Sequence, residues 1–167
     1  MARLASRIQP CLWFDTQAEE AARFYTGIFP QSRILSVSHF SEVGQEHHGK
    51  PPGSVMAVSF TLDGQEMLAL NGGPQFKFSP AVSLMVQCDS QAEIDHYWNA
   101  LGEGGDPAAQ QCGWLADRYG LSWQVTPRDW ERLLNAPDQA ASRRAWAAIH
   151  TMKKLDIAAL QAAFDGR

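Results

Sequence analysis

Three cysteines, five histidines and a few well-placed amides carry most of the reactive chemistry in this 167-residue chain. Cys11, Cys88 and Cys112 stand at unrelated spacings without a CxxC pair, so reduced thiols are the economical reading. Cys11 and Cys112 are weak candidates for a catalytic nucleophile. Such a thiol needs a neighbouring base or cation to form the thiolate, and the sequence places no histidine beside either one. An inert, packed thiol is the alternative. His47-His48 lies in the loop GQEHHGKPPG and reads as a solvated pair, with adventitious metal capture as the sharper alternative. His96 is expected on the outer side of a helix, while His39 at a strand end and His150 in the tail read as structural. Asp117-Arg118 is either an exposed pair or a clamp for a substrate carboxylate. Trp13, Trp114 and Trp123 fall on strand-like segments, with Phe76 and Phe78 near the middle of the chain. An apolar, aromatic pocket with a few amides is the usual make-up of a small-molecule site.

The elements that must position these groups are organised by an internal repeat. Asp15-Thr16-Gln17-Ala18-Glu19 returns as Asp89-Ser90-Gln91-Ala92-Glu93. Both copies carry a capping box, Thr16 with Glu19 and Ser90 with Glu93, which marks a helix start. Ala21, Phe24, Tyr25 and Ile28 follow at helical spacing, as do Ile94, Tyr97, Trp98 and Leu101. Strand-like runs precede them at 8–14 and 81–88. Further strands are expected at 32–40, 55–62 and 66–70 in the first half, and at 108–112, 113–118 and 121–126 in the second. The turns are Asp63-Gly64 and Tyr119-Gly120, and Asn71-Gly72-Gly73-Pro74 joins the halves. Beyond Pro127 the pattern turns helical. It predicts a short helix around Trp130, Leu133 and Leu134, a longer one over 138–152, and a last one capped by Asp156.

Composition narrows the function classes. Hydrophobic residues make up 45% and charged residues 19%, a globular balance. The net charge is −4 and the basic residues are scattered, so neither a nucleic-acid partner nor a polybasic membrane patch is expected. No apolar run approaches the roughly 20 residues that span a bilayer. The opening MARLASRIQP has no apolar signal core, and a cytoplasmic protein is expected.

Two βαβββ halves in tandem resemble the vicinal oxygen chelate superfamily, which includes glyoxalase I, bleomycin-resistance proteins and extradiol dioxygenases. The strings PCLWFD, AEEAARFYTGIFP, LNGGPQFKFSPAVSL, CGWLADRYGLSWQV and MKKLDIAAL are similar to its PhnB-like branch, which often carries the label 3-demethylubiquinone 3-methyltransferase. The resemblance implies an α+β fold, with tandem βαβββ modules forming curved mixed sheets around a cavity and helices at the C-terminus. One such domain would span residues 1–167, with modules at 8–71 and 78–126 and a helical tail at 127–167. It also implies a homodimer.

Metal-using members of the superfamily take four ligands, typically His or Gln, Glu, His and Glu, from the first and last strands of the halves. Strand parity puts Ile8, Leu12 and Phe14 on the helix side, so Gln9, Cys11 and Trp13 face the implied cavity. The four ligand positions then fall on Gln9, Met67 (or Leu68 after a one-residue shift), Ala81 and Gln124. Two amides, a thioether and a methyl offer no charge to a dication. No metal ligand is therefore assigned, no cofactor is expected, and a divalent metal is disfavoured. The methyltransferase label is not supported either, because no glycine-rich loop joins a strand to a helix. The expected role is the binding of a small organic ligand by Gln9, Cys11, Trp13, Asn71, Trp114 and Gln124, with Trp123 turned toward the helices. A metal-dependent lyase, isomerase or dioxygenase is the second reading. A structural or regulatory homodimer with a closed cavity is the third.

Overall fold

The computed structural model describes residues 7–167. The N-terminal segment 1–6, part of the stretch read above for a signal core, lies outside the described residues. The chain divides into two compact units, one up to Lys77 and one from Phe78 onward.

The first unit is built on a four-stranded mixed sheet. Strand β1 (Cys11–Phe14) leads into helix α1 (Ala18–Ile28). Strands β2 (Arg33–His39), β3 (Val55–Leu62) and β4 (Gln65–Asn71) follow, in the spatial order β1-β4-β3-β2. The β1–β4 pair is parallel, while β3 is antiparallel to both β2 and β4. Asp63 and Gly64 make the two-residue turn between β3 and β4, both at positive φ, as a turn that follows the sheet's twist requires. Ala18, Ala21, Ala22 and Tyr25 are fully buried on the sheet side of α1. The three alanines let the helix lie close over Leu12, Phe14, Val58, Phe60, Met67 and Ala69, all buried. Phe24 and Ile28 stay half-buried, so the contact stripe is rotated toward Ala22 from the one expected.

Two expectations for this unit change. The first strand starts at Cys11 rather than at residue 8. Pro10 has no N–H to extend the ladder, so Ile8 is left 82% exposed and Gln9 also lies exposed, ahead of the strand. The first capping box does not form: Gln17 is the cap residue and makes no side-chain cap bond. The Ala18 N–H instead donates to Asn71 Oδ1 at 2.8 Å, and Asn71 Nδ2 donates to the Val55 carbonyl at 3.0 Å. The amide at the end of β4 thus holds the start of α1. Between β2 and β3, the expected loop contains a single helical turn, α2 (Gln45–His48).

The second unit repeats the plan with one strand fewer. Strand β5 (Ser83–Cys88), helix α3 (Gln91–Gly102) and strands β6 (Trp114–Ala116) and β7 (Ser122–Pro127) give the order β5-β7-β6. As before, first and last strands pair parallel and the last two antiparallel. Here the capping box does form. Ser90 Oγ accepts from the Glu93 N–H, and Glu93 reaches back to the Asp89 N–H. Ile94, Trp98 and Leu101 are buried as the periodicity predicts, and His96 is exposed. The strand expected at 108–112 is instead a 3₁₀ turn (Pro107–Ala109) followed by one isolated bridge, Gln111 with Trp114. Asp106 Oδ1 accepts from the Ala108 N–H and Pro107 fixes the first turn, which favours the tight helical start over an extended ladder.

The tail forms α4 (Trp130–Leu134), α5 (Gln139–Ile149) and α6 (Ile157–Asp165), close to expectation. Leu133, Leu134, Ala145, Ile149, Leu155 and Leu160 form its core, with Cys112 packed against them. The strap before α6 is tied to the rest of the unit by its backbone. Cys112 and Gly113 donate to the carbonyls of Met152 and Lys153 at 2.8 and 2.7 Å. Gln91 accepts from the Ile157 N–H and donates to the Leu155 carbonyl.

Replacing Asn71 by alanine strands one buried donor and one acceptor at once. We expect Asn71→Ala to lower unfolding stability by about 2 kcal/mol in urea titrations. A loss below about 0.5 kcal/mol would remove Asn71 as the anchor of α1.

Candidate functional site

Each sheet has one face packed on a helix and one open face, and strand register decides which residues share the open one. In the first unit Cys11 lies opposite Leu68 and Trp13 opposite Leu70. Parallel neighbours share a face, so Cys11, Trp13, Leu68 and Leu70 stand together, away from buried Leu12, Phe14, Met67 and Ala69. The ladder settles the choice left between Met67 and Leu68. Met67 points into the core at 2% exposure, and Leu68 takes the open-face position. Glu66, two residues before Leu68, shares that face by alternation and is exposed; strand parity read through Leu68 would have found it.

Trp13 is held in place. Its indole N–H donates to the Gly73 carbonyl at 2.9 Å, and its ring meets Phe76 edge-on at 5.0 Å. The six-membered ring lies over Gly72 so closely that a Cβ there would sit 2.1 Å from Trp13 Cζ2. The Gly72-Gly73 pair is therefore a seat for the indole as well as a junction. Asn71, expected as a polar anchor, is buried with both ends of its amide bonded within the unit. Cys11 is exposed, and partial desolvation raises its thiol above the ordinary value.

In the second unit the open face carries Trp114 and Gln124, directly paired across β6 and β7. Gln124 Nε2 donates to Ser83 Oγ at 2.9 Å, and its amide oxygen is an acceptor not engaged by that bond. Trp123 lies on the other face, buried, as expected. Asp117 is neither an exposed partner nor a clamp. It is 2% exposed, accepts from the N–H groups of Tyr119 and Leu121, and takes the Trp123 indole N–H at 2.8 Å. Arg118 turns instead to Glu103.

Beside this sheet runs a groove of about 660 Å³. Trp114, Ala116 and Ser122 form its sheet side, while Trp146, Ile149 and His150 of the tail form much of the other. Cys112 lines it as well, with its Sγ 3.7 Å from His150 Nδ1. The imidazole stacks on Trp146 at 6.1 Å. Sequence reasoning missed this thiol–imidazole pair because its members lie 38 residues apart and meet only when the tail docks. Ala81 lies in an exposed turn before β5.

The donor set does not suit the divalent metal that the resemblance would imply. Gln9 is an exposed amide ahead of β1, Leu68 offers no donor, Ala81 has only a methyl, and Gln124 is an amide bonded to Ser83. Glu66 is the carboxylate nearby on that face of β4. Among the described residues no three His, Cys, Asp or Glu side chains cluster as a metal group would need. A nucleotide-type methyl donor fits no better. The strand-to-helix junctions are Asp15-Thr16-Gln17 and Asp89-Ser90, both without glycine, whereas Gly72-Gly73 is filled by Trp13.

Gly72→Ala tests the indole seat. The added methyl forces Trp13 off the glycine pair, and we expect shifted tryptophan emission and a stability loss of about 1–3 kcal/mol. Wild-type emission and stability in that variant would show that the contact is not a constraint.

Among curated proteins none matches the chain. The family model described as 3-demethylubiquinone-9 3-methyltransferase matches residues 6–126. A PhnB protein from Bacillus cereus is 38% identical, with 73% of this chain and 99% of that one covered and a TM-score of 0.62. A protein of solved structure from Pseudomonas aeruginosa is 22% identical over 74% of this chain and 98% of that one, with a TM-score of 0.55, a likeness of fold. The family model over residues 6–126 and the 38% identity to the PhnB protein agree: the chain belongs to the PhnB-like, 3-demethylubiquinone-9 3-methyltransferase family.

Proposed function

We propose that this protein binds a small, largely apolar organic molecule without a tightly held divalent metal. One observation carries the reading: an indole and an amide, Trp114 and Gln124, stand side by side on an open sheet face, and Trp114 also lines a groove of drug-like volume. Trp114 supplies a flat apolar surface and Gln124 an acceptor that fixes orientation. On the first unit, Cys11 and Trp13 provide a second apolar surface, with the Gln9 amide exposed ahead of β1. Trp13 offers its ring rather than its N–H, which is already bonded to Gly73. The family label names a methyl transfer, but the residues of this chain give no support to that activity.

The protein is further read as a cytoplasmic homodimer. Three free cysteines favour a reducing compartment. The homodimer is what the family resemblance implies, and Met85, on the open face of β5 and 46% exposed in the single chain, is one side chain that a second copy would cover.

The test uses 1-anilinonaphthalene-8-sulfonate as an apolar, anionic aromatic probe, followed by its fluorescence and by tryptophan quenching. Saturable binding is expected, and Trp114→Ala should weaken it by about tenfold. Equal binding by wild type and variant would count against the groove. Failure of the probe and of a broader thermal-shift screen would leave the structural or regulatory homodimer as the better reading. Elemental analysis of untagged protein should find far less than one metal per chain. Stoichiometric iron, nickel, zinc or manganese, lost on Gln9→Ala or Gln124→Ala, would restore the metal-dependent enzyme. Light scattering at twice the chain mass is expected for the dimer, and a monomer would refute it.

A further inference from the structure

The geometry of the tail groove points to Cys112 as a nucleophile for soft carbon electrophiles, with His150 as its base. Its Sγ lies 3.7 Å from His150 Nδ1, within reach of proton transfer through a sulfur hydrogen bond. The pair lies along the groove of about 660 Å³, where Trp114 and Trp146 supply flat apolar walls for an electrophile's carbon skeleton. Cys112 is partly accessible and His150 exposed, so both can meet a ligand there.

The surroundings complement the positive charge that the reaction places on His150. His150 caps the C-terminal end of the 11-residue α5, where the helix dipole favours a cation. Its ring stacks on Trp146, whose π face is likewise attractive to an imidazolium. The thiol is fixed from behind by the backbone. Cys112 sits at φ +54°, with its N–H and that of Gly113 bonded to the Met152 and Lys153 carbonyls. Those two bonds hold the Cys112 backbone in place beside α5.

The other two thiols lack such a partner arrangement. Cys88 is buried, and desolvation with Glu93 and Asp89 nearby pushes its thiol up to about 11. Cys11 is exposed but raised by desolvation. They serve as internal standards, Cys11 for an accessible thiol and Cys88 for an intact fold.

The substrate class is an activated alkene conjugated to a carbonyl. The thiol proton passes to His150 Nδ1, and the sulfur lone pair forms a C–S bond at the β-carbon. The C=C π bond breaks, its electrons move to the carbonyl oxygen as an enolate, and the imidazolium returns the proton to the α-carbon. The sum is addition of S–H across the double bond, with no oxidant or reductant.

This assignment deepens the groove-binding reading, but its test stands apart from it. N-ethylmaleimide, itself such an alkene, is reacted with native protein at fixed pH, and labelling of each cysteine is followed by peptide mass mapping. Cys112 should react about tenfold faster than Cys11, and His150→Gln should abolish that advantage while leaving the Cys11 rate unchanged. A Cys112 rate no greater than that of Cys11, or one indifferent to His150→Gln, overturns the assignment. Labelling of Cys88 reports unfolding; if His150→Gln provokes it, His150→Asn is read by the same criteria. Fast Cys112 labelling together with unchanged probe binding in Trp114→Ala would sink the ligand reading alone. Weaker probe binding in Trp114→Ala than in wild type, together with slow Cys112 labelling, would sink this one alone.

Discussion

In both units the first strand lies parallel to the last, and most of the architecture follows from that pairing. A parallel pair cannot be closed by a tight turn; the chain must cross over the sheet. The crossing is made by α1 in the first unit and α3 in the second, which covers one face of each sheet and leaves the other open. The register of the parallel pair then fixes which side chains occupy that open face. Cys11 beside Leu68 and Met85 beside Gln124 are consequences of the same constraint, repeated in two halves of one chain.

The halves diverge where the second loses a strand. The segment before β6 makes a 3₁₀ turn and a single bridge, so its backbone donors have no ladder to join. Two of them, on Cys112 and Gly113, are satisfied by the strap at Met152 and Lys153. The tail thereby becomes part of the second unit, and the groove with its thiol–imidazole pair exists only because of that docking. A deviation from the repeat has created the most chemically distinctive place in the molecule.

What could be read from the sequence is what depends on neighbours in the chain. The Ser90–Glu93 capping box, the Asp63-Gly64 turn, the three tail helices and the side of the sheet on which Trp123 lies were all legible, because each rests on spacings of a few residues. The first capping box had the same local signal but lost to a bond from Asn71, 53 residues away in the chain. Alternation leaves Met67 and Leu68 both open, because parity along a strand needs a fixed starting point, which only the ladder with β1 supplies. Cys112 and His150 gave no joint signal for the same reason: their meeting is tertiary. Gln9 lies ahead of a strand that begins later than its alternation suggests, at Cys11, because Pro10 has no N–H to extend the ladder.

The two ways of starting the crossover helix have a consequence for the order of events when the chain emerges from the ribosome. α3 finds its N-terminal partners in Ser90 and Glu93, within its own first turn, so its start is satisfied as soon as it is made. α1 comes first in the chain but finds its partner only when Asn71, at the end of its own module, has been added and β4 has zipped beside β1. Closing that long loop carries an entropic cost that α3 does not meet. The earlier helix is the one whose completion must wait, and the first module closes as a unit, with its last strand, rather than element by element.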